Sequence, residues 1–221
     1  MRQTPLQNRV DPWSNLHATP ARGSLMGNRG ILHNQEKRIV RPWAHKAWIA
    51  CLLSYGNVRR SVFSPGNYSE LFFLDEATAF AAGHRPCGQC QRERYLLFKE
   101  YWAKANSHRV SRLTVKEIDE QLHAERTRSD KGKQTYSATV GELPDGTMFD
   151  TNGRAYLTWQ QKFLPWSFDG YDAPVEFDST LQIRVLTPKS IVKIYRFGFE
   201  PKVHESGHVC AVWKTYLRTV V

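Results

Sequence analysis

The feature that most constrains this chain is a Cys-x-x-Cys turn formed by Cys87 and Cys90, with Gly88 between them. Two thiolates at this spacing can bind one tetrahedral metal ion while backbone N–H groups turn toward the sulfurs. A structural zinc ion takes about four ligands, so half of the site must come from elsewhere in the chain. The remaining cysteines are Cys51 and Cys210, and we expect Cys51 to be the third ligand.

A histidine is the expected fourth ligand of this structural zinc site, and His45 is the first candidate. His45 lies six residues before Cys51, so the two side chains share a face if the strand begins that early. His33 and His84 remain open as alternatives. A separate group with metal-ligand spacing lies near the C-terminus, although surface polar residues explain it as well: His204, His208 and Cys210.

The stretch from Glu70 to Gln91, ELFFLDEATAFAAGHRPCGQCQ, resembles the zinc-binding module of Ada-type DNA alkylation-repair proteins. That module shows a short aromatic strand, a helix rich in Glu and Ala, and then Gly-aromatic-Arg-Pro-Cys-x-x-Cys, with His84 here at the aromatic position. The resemblance implies a zinc-binding unit built from a hairpin and a helix, and a role in DNA repair. The family has a close pair of further cysteines before the helix, one of which accepts a methyl group. Only Cys51 lies upstream here, so we do not expect methyl transfer.

A dithiol switch is the alternative interpretation of Cys87 and Cys90, because a helix N-terminus lowers the pKa of a thiol. The usual setting of such a switch is a motif directly after a buried strand in a βαβ unit. Here a predicted helix and a Gly-His-Arg-Pro turn precede the motif, which favours metal binding.

Charge predicts the class of partner. The chain of 221 residues has a formal net charge of +10, with 16 Lys and Arg against 7 Asp and Glu in residues 1–110. Residues 111–221 hold 15 basic and 14 acidic residues. A basic half beside a neutral half suggests a face that binds nucleic acid, with DNA preferred, although surplus cations can also serve solubility.

The expected phosphate contacts lie on two basic turns and beside the Cys-x-x-Cys turn of residues 87–90, which we call the knuckle. The glycines of residues 21–30 could expose N–H groups to a phosphate, or could simply form a loop rich in turns. A second basic turn follows the predicted strand at residues 48–53. The nucleic-acid-binding candidates are Arg22, Asn28, Arg29, Arg59, Arg60 and Arg85.

Hydrophobic patterning predicts an α+β fold. We expect a basic segment at 1–46, a zinc-binding unit at 47–110, and a helix followed by a β-rich part at 111–221, with the two parts sharing one core or packing as neighbours. Helices are predicted at 75–82, with Asp75 as N-cap and Gly83 just beyond the end, at 91–105, and at 114–126 with a capping box. We expect the aromatic stripe of the second helix to pack in the core rather than to stack on bases. Residues 127–137 are predicted to be a mobile loop. Strands are predicted at 48–53, 61–63, 71–73, 155–157, 183–186 and 191–195, and the first two are predicted to form a β-hairpin.

Acidic side chains near aromatic residues are the catalytic candidates. Aromatic residues crowd into 159–171, where they could sandwich an extruded base, and Asp169 or Asp172 could activate water. Core packing explains the same aromatics. A metal-dependent nuclease could instead use Glu120 beside His123 on one helix face, although an ordinary solvated face explains these residues equally well.

Taken together, these features predict a cytoplasmic zinc-containing protein that binds DNA and acts in recognition or removal of modified or damaged bases. Removal would make it a hydrolase similar to a glycosylase. A non-catalytic regulatory DNA-binding module and a nuclease are the alternatives. The N-terminus lacks the apolar run of a signal peptide, and no membrane partner is expected. Phosphate-loop, dinucleotide-binding and nucleophile-elbow motifs are absent from the sequence.

Overall fold

The computed structural model describes residues 4–56, 61–107 and 113–208. Within these ranges the protein is α+β, as the patterning predicts, with two six-stranded sheets, four α-helices, a 3-10 turn at Val140–Glu142 and further helical residues at 205–208. None of the helices in the described ranges is long and apolar enough to cross a bilayer.

The first sheet combines the N-terminal segment with the predicted zinc-binding unit. Its strands, in spatial order, are β2 (Leu16–Ala18), β1 (Gln7–Val10), β5 (Leu71–Phe73), β3 (Leu25–Asn28), β4 (Ile49–Leu52) and β6 (Arg85–Pro86). Pairs β1–β5 and β4–β6 are parallel, whereas the other neighbours are antiparallel. Residues 7–28 therefore contribute to the same sheet as the knuckle.

The partner of β4 corrects the predicted hairpin. Strand β4 pairs with β3, which places Met26 opposite Cys51, and residues 61–63 form no strand. Phe63 has a φ of 56°, in the left-handed region that extended strands do not use. Four of the ten residues at 21–30, where the sequence allows for a loop rich in turns, thus form strand β3. Its Gly27 is required there, because a Cβ at this position would lie 2.3 Å from the Phe73 ring.

Helix α1 (Glu76–Ala81) lies at the centre of the molecule, and every one of its residues is buried. Ala77 and Ala81 belong to the core shared with the second sheet. Phe80 packs among the other helices, and Ala79 packs on the first sheet. Small residues let three layers approach one helix closely, so the two predicted parts share packing around α1.

The ends of α1 are those that the sequence predicts. Asp75 caps the helix, because its Oδ1 accepts a 2.8 Å hydrogen bond from the amide of Thr78. Gly83 follows with a φ of 81°, a conformation that glycine adopts without strain.

Three further helices pack against α1 through Phe80. Helix α2 (Arg92–Asn106) buries Phe98 and Trp102, which confirms that its aromatic stripe is core. Helix α3 (Val115–Arg126) begins with the predicted capping box of Thr114 and Glu117. Helix α4 (Lys189–Arg196) corrects a predicted strand at 191–195.

The reason for the α4 error is the spacing of its apolar residues. Ile191, Val192, Ile194 and Tyr195 are buried, which matches one face of a helix as well as a short β-branched strand. Pro188 stands at the N-cap, where its carbonyl accepts hydrogen bonds from the amides of Ile191 and Val192, each at 3.0 Å.

The second sheet is antiparallel throughout and forms the predicted β-rich part. Its strands, in spatial order, are β11 (Gly170–Tyr171), β10 (Lys162–Ser167), β9 (Arg154–Trp159), β8 (Met148–Thr151), β12 (Gln182–Val185) and β7 (Tyr136–Thr139). Strand β7 includes part of the predicted mobile loop. The aromatic run at 159–171 lies on β9 to β11, where Trp159, Trp166 and Tyr171 are buried in the core shared with α1.

Candidate metal centre and basic cavity

Three cysteine thiols converge at one end of the first sheet. Cys51 lies on β4, Cys87 directly follows β6, and Cys90 lies in the turn before α2. Their sulfur atoms all lie within 4.8 Å of one another, which makes them a group that could hold a metal ion. The sequence predicts these three residues as ligands, and the fold brings the first to the other two although they are far apart along the chain.

The backbone around the cysteines supports this arrangement. The amide of Cys87 donates a 2.8 Å hydrogen bond to the carbonyl of Ala50, which ties the knuckle to β4. The amide of Leu52 donates to the Cys90 sulfur and the amide of Gln89 to the Cys87 sulfur, each at 3.4 Å. Amide donors that point at sulfur stabilise the thiolate form, which is the form that binds metal.

The three thiols also perturb one another. A hydrogen bond from the Cys51 thiol lowers the pKa of Cys87 to about 5, although burial acts against this shift. The same hydrogen bond, together with burial, raises the pKa of Cys51. Burial raises the pKa of Cys90. The cluster therefore holds one favoured thiolate and two protonated thiols at neutral pH, and a bound cation would displace the remaining protons.

None of the candidate histidines joins this group in the described part of the chain, which corrects the assignment of His45. The chain turns before β4 begins at Ile49, so the two-residue strand periodicity does not extend back to His45. Instead, its carbonyl accepts a 2.9 Å hydrogen bond from Trp48 Nε1. His33 bonds to Ser69 Oγ at 2.6 Å, and His84 is buried against the Phe73 ring.

Beside the cysteines is a cavity of about 410 Å³. All three cysteines line it, together with the polar residues Asn28, Tyr55, Tyr68, Glu70 and Gln89. A tetrahedral ion held by three thiolates keeps one position for a further ligand, and this cavity borders the sulfurs that would hold it.

The residues predicted to contact phosphate differ in their exposure. Arg22 is exposed, as such a contact requires, and Asn28 is half-buried with its Oδ1 accepting from the amide of Gly30 at 2.7 Å. Arg59 and Arg60 lie outside the described residues. Arg29 is buried and turned into the protein, at 1% exposure.

Arg85 is not a surface contact either. Its guanidinium forms a two-pronged ion pair with Asp119 of α3, with nitrogen-oxygen distances of 2.7 and 2.8 Å. Both side chains are buried, so this arginine joins the knuckle to α3 rather than facing a phosphate.

The candidate catalytic acids remain apart. Asp169 lies in the exposed turn between β10 and β11, and Asp172 is exposed and pairs with Arg154 at 2.9 Å. Glu120 is exposed on α3 and lies 4.0 Å from Lys116. Among the described residues no carboxylates gather into a group that could hold a metal ion. His204 bonds to Ser206 Oγ, whereas Cys210 of the proposed C-terminal cluster lies outside the described residues.

A second cavity, of about 420 Å³, lies near the start of β4. We call it the basic cavity. Its walls combine cations with indole rings, and no acidic residue of the described ranges lines it. Its cationic and tryptophan walls are Arg29, Arg41, Arg126, Lys131 and Lys133 with Trp13, Trp43 and Trp48.

Two guanidinium groups flank Trp48 in this cavity. Arg29 Cζ lies 4.1 Å and Arg126 Cζ 4.0 Å from the ring centroid, within the range of cation–π attraction. Arg29 also donates to Nε2 of His84 at 3.2 Å and to both oxygens of Ser14 at 3.0 and 2.9 Å.

Arg126 makes hydrogen bonds to neutral partners. It donates to the carbonyls of Gly83 and Lys46 and contacts Nδ1 of His123. Its Nε has no hydrogen-bond partner in the described part of the chain, although the side chain is 1% exposed. The ammonium group of Lys133 donates a hydrogen bond to the carbonyl of Ala81.

Burial and mutual repulsion destabilise the charged forms of these inward-facing side chains. Burial lowers the pKa of Arg29 to about 9, and burial followed by repulsion from Arg29 lowers the pKa of Arg126. Burial, Arg29 and Arg126 lower the pKa of Lys133 to about 7. Asp11 partly offsets these effects for Arg29 and Lys133, yet it bonds to His17 at 2.8 Å and lies beyond 4 Å from both cations.

Most of the residues that line this cavity are not predicted from the sequence to form a site. Trp48 has the pattern of an ordinary buried strand, and Lys133 lies in a segment with the composition of a solvated loop. A signal is present in the interleaving of basic and aromatic residues at 41–48, RPWAHKAW, which is typical of surfaces that bind nucleic acid. The convergence of Arg126 and Lys133 on that segment has no signal in the sequence.

Comparisons of the chain with protein-family models, with curated proteins and with solved structures gave no match.

Proposed function

We propose that this protein is a zinc-containing DNA-binding protein that acts in the recognition or removal of modified or damaged bases. The observation that carries the proposal is the convergence of Cys51, Cys87 and Cys90 within 4.8 Å. Three thiols are a soft donor set, which favours zinc over magnesium or calcium.

The role of the metal in this proposal is structural. Residues Cys51, Cys87 and Cys90 would hold the ion, which supplies a cross-link between β4, the knuckle and α2. A site of this kind contributes directly to folding free energy. The resemblance of residues 70–91 to a DNA-repair module agrees with this role.

Charge supports the choice of partner. The net charge is +10, and most of the excess lies in residues 1–110. Exposed cations at the basic cavity, Arg41 and Lys131, could contact phosphates at its rim. Base removal additionally needs a general acid or base, and Asp169 and Asp172 lie outside the walls of this cavity.

The test is a DNA-binding titration at several salt concentrations, followed by incubation with a panel of duplexes that contain modified or damaged bases. We expect affinity to fall steeply with salt, because phosphate contacts release counterions. The double variant Arg41→Gln/Lys131→Gln should lower the salt slope by about two. Lys104→Gln is the matched control, since Lys104 is exposed and pairs with Glu100 at 2.6 Å.

Two results would count against the proposal. Absence of DNA binding at low salt would remove its central element. Binding without base release on the whole panel would restrict the function to recognition and leave removal without support.

A further inference from the structure

The basic cavity contains more positive charge than its surroundings neutralise. Arg29, Arg126 and Lys133 line it, and no carboxylate of the described ranges lies within 4 Å of their charged nitrogens. The nearest acids have other partners, since Asp11 bonds to His17 and Asp119 is paired with Arg85. A buried charge without a partner is unfavourable, and the protein itself balances the charge of this cavity only in part.

An anion is the natural complement of this cavity. Arg126 retains an unpartnered Nε although it is buried, and Lys133 makes a hydrogen bond to the Ala81 carbonyl with one of the three donors that an ammonium carries. Guanidinium and ammonium groups together favour phosphate, because arginine matches its geometry and lysine supplies a point charge.

The remaining walls favour a planar group beside that anion. Trp43 and Trp13 are half-buried at the cavity, and Trp43 lies with its ring centroid 5.8 Å from that of Trp48. Both guanidiniums already cover Trp48, and Trp13 packs against the core and donates from its Nε1 to Asp150 Oδ2 at 2.6 Å. Trp43 is therefore the indole best placed to stack on a ligand. The volume of about 420 Å³ falls within the range of small-ligand pockets.

We propose that the basic cavity binds one nucleotide, with its phosphate at Arg29, Arg126 and Lys133 and its base against Trp43. The nucleotide could be free in solution or turned out of a DNA strand, since the recognised chemistry is the same. The second source rests on the proposed function, whereas the first does not.

Calorimetric titration of the full chain tests this inference. The probes are the four deoxynucleoside 5′-monophosphates, the matching nucleosides and inorganic phosphate. We expect at least one monophosphate to bind at least about tenfold more tightly than its nucleoside, and also than inorganic phosphate. The base and the phosphate group would each add their own contacts. Failure of all four monophosphates to bind, or equal binding of phosphate alone, would overturn the assignment.

Variants locate the site. Lys133→Gln should weaken monophosphate binding about tenfold, the weight of one charge-assisted hydrogen bond. Trp43→Leu should weaken the monophosphate but leave the weak binding of inorganic phosphate unchanged, which a purely structural defect would not do. Lys116→Gln, at an exposed lysine on α3, is the matched control and should bind as the parent does. Unchanged binding by both cavity variants would overturn the assignment.

A short single-stranded oligonucleotide separates the two sources. Binding that the monophosphate displaces supports a strand nucleotide in the cavity. Monophosphate binding without oligonucleotide binding supports a free nucleotide and contradicts the proposed function instead. Oligonucleotide binding that monophosphates neither share nor displace would overturn the cavity assignment and leave DNA binding intact.

Discussion

The amide of Cys87 donates a 2.8 Å hydrogen bond to the carbonyl of Ala50, the residue that directly precedes Cys51. This bond fixes the distance between two candidate metal ligands that are far apart in sequence. The amide of Arg85 donates in the same way to the carbonyl of Trp48, at 3.1 Å. The pairing of β4 with β6 therefore connects the cysteine cluster to the basic cavity, about 10 Å away along the strand.

Metal removal should loosen this pairing before it affects the second sheet. After treatment with a chelator under reducing conditions, we expect the amides of Leu52, Cys87 and Gln89 to exchange hydrogen about tenfold faster or more, because the cross-link that holds them is lost. Amide exchange measured by mass spectrometry or NMR checks this. The amide of Phe149, on β8, is the internal control. Equal protection with and without metal would contradict a structural role.

Removing only one partner of the ion pair between Arg85 and Asp119 should destabilise the protein strongly. Arg85→Met leaves a buried carboxylate without a partner, and we expect it to lower the free energy of unfolding by about 3 kcal/mol or more. The double variant Arg85→Met/Asp119→Leu should recover most of that loss. Denaturant unfolding measures both. An Arg85→Met protein as stable as the parent would show that the pair does not hold the knuckle against α3.

Asp75 should contribute more than an ordinary helix cap. Its Oδ1 accepts from the amide and hydroxyl of Thr78, and its Oδ2 accepts from the Tyr171 hydroxyl at 2.8 Å and the His204 amide at 3.0 Å. Asp75→Ala strands these buried donors, so we expect a loss of about 2–4 kcal/mol in unfolding free energy. Asp75→Asn keeps an acceptor for the cap and should lose less. Equal losses for the two variants would contradict this account.

Lys133 should make the stability of the protein depend on pH in a defined direction. Its pKa is about 7 in the folded protein, below the value of about 10.4 for an unfolded lysine. Between these values the unfolded chain binds more protons, so this group adds stability as pH rises through the window. Arg29 acts in the same direction, with a pKa of about 9 that starts to matter only at the alkaline end.

Comparison with Lys133→Met isolates this contribution from other titrating groups. We expect the difference in unfolding free energy between parent and variant to change in favour of the parent from about pH 6.5 to about pH 9.5. Denaturant unfolding at several pH values, without phosphate, measures the difference. A difference that stays constant over this range would show that burial and the charges of Arg29 and Arg126 do not lower the pKa of Lys133.

Local signals in the sequence predict the elements around the knuckle well. The Asp75 cap, the Gly83 terminus and the capping box of Thr114 and Glu117 each involve residues a few positions apart, and the structure has all of them. The cysteine cluster is predictable for a similar reason. The chain has only four cysteines, so few sulfur ligands are available to complete a metal site with Cys87 and Cys90.

Non-local arrangements are not predictable in the same way. Strand β3 pairs with β5 where Gly27 leaves room for the Phe73 ring, a contact between residues far apart in sequence. On its other side β3 pairs with β4. The inward placement of Arg29, Arg126 and Lys133 is similar, since a cation that faces the interior looks like a surface cation in the sequence. Only the fold brings three of them to one cavity beside Trp48.

The most direct test of the central claim is the metal content of the full chain, purified under reducing conditions and measured by mass spectrometry alongside Cys87→Ser. The account predicts about one zinc ion per chain in the parent, a large loss of zinc in the variant, and a lower unfolding temperature whenever the metal is removed. A parent protein that contains no metal, yet unfolds at the same temperature before and after chelator treatment, would contradict it.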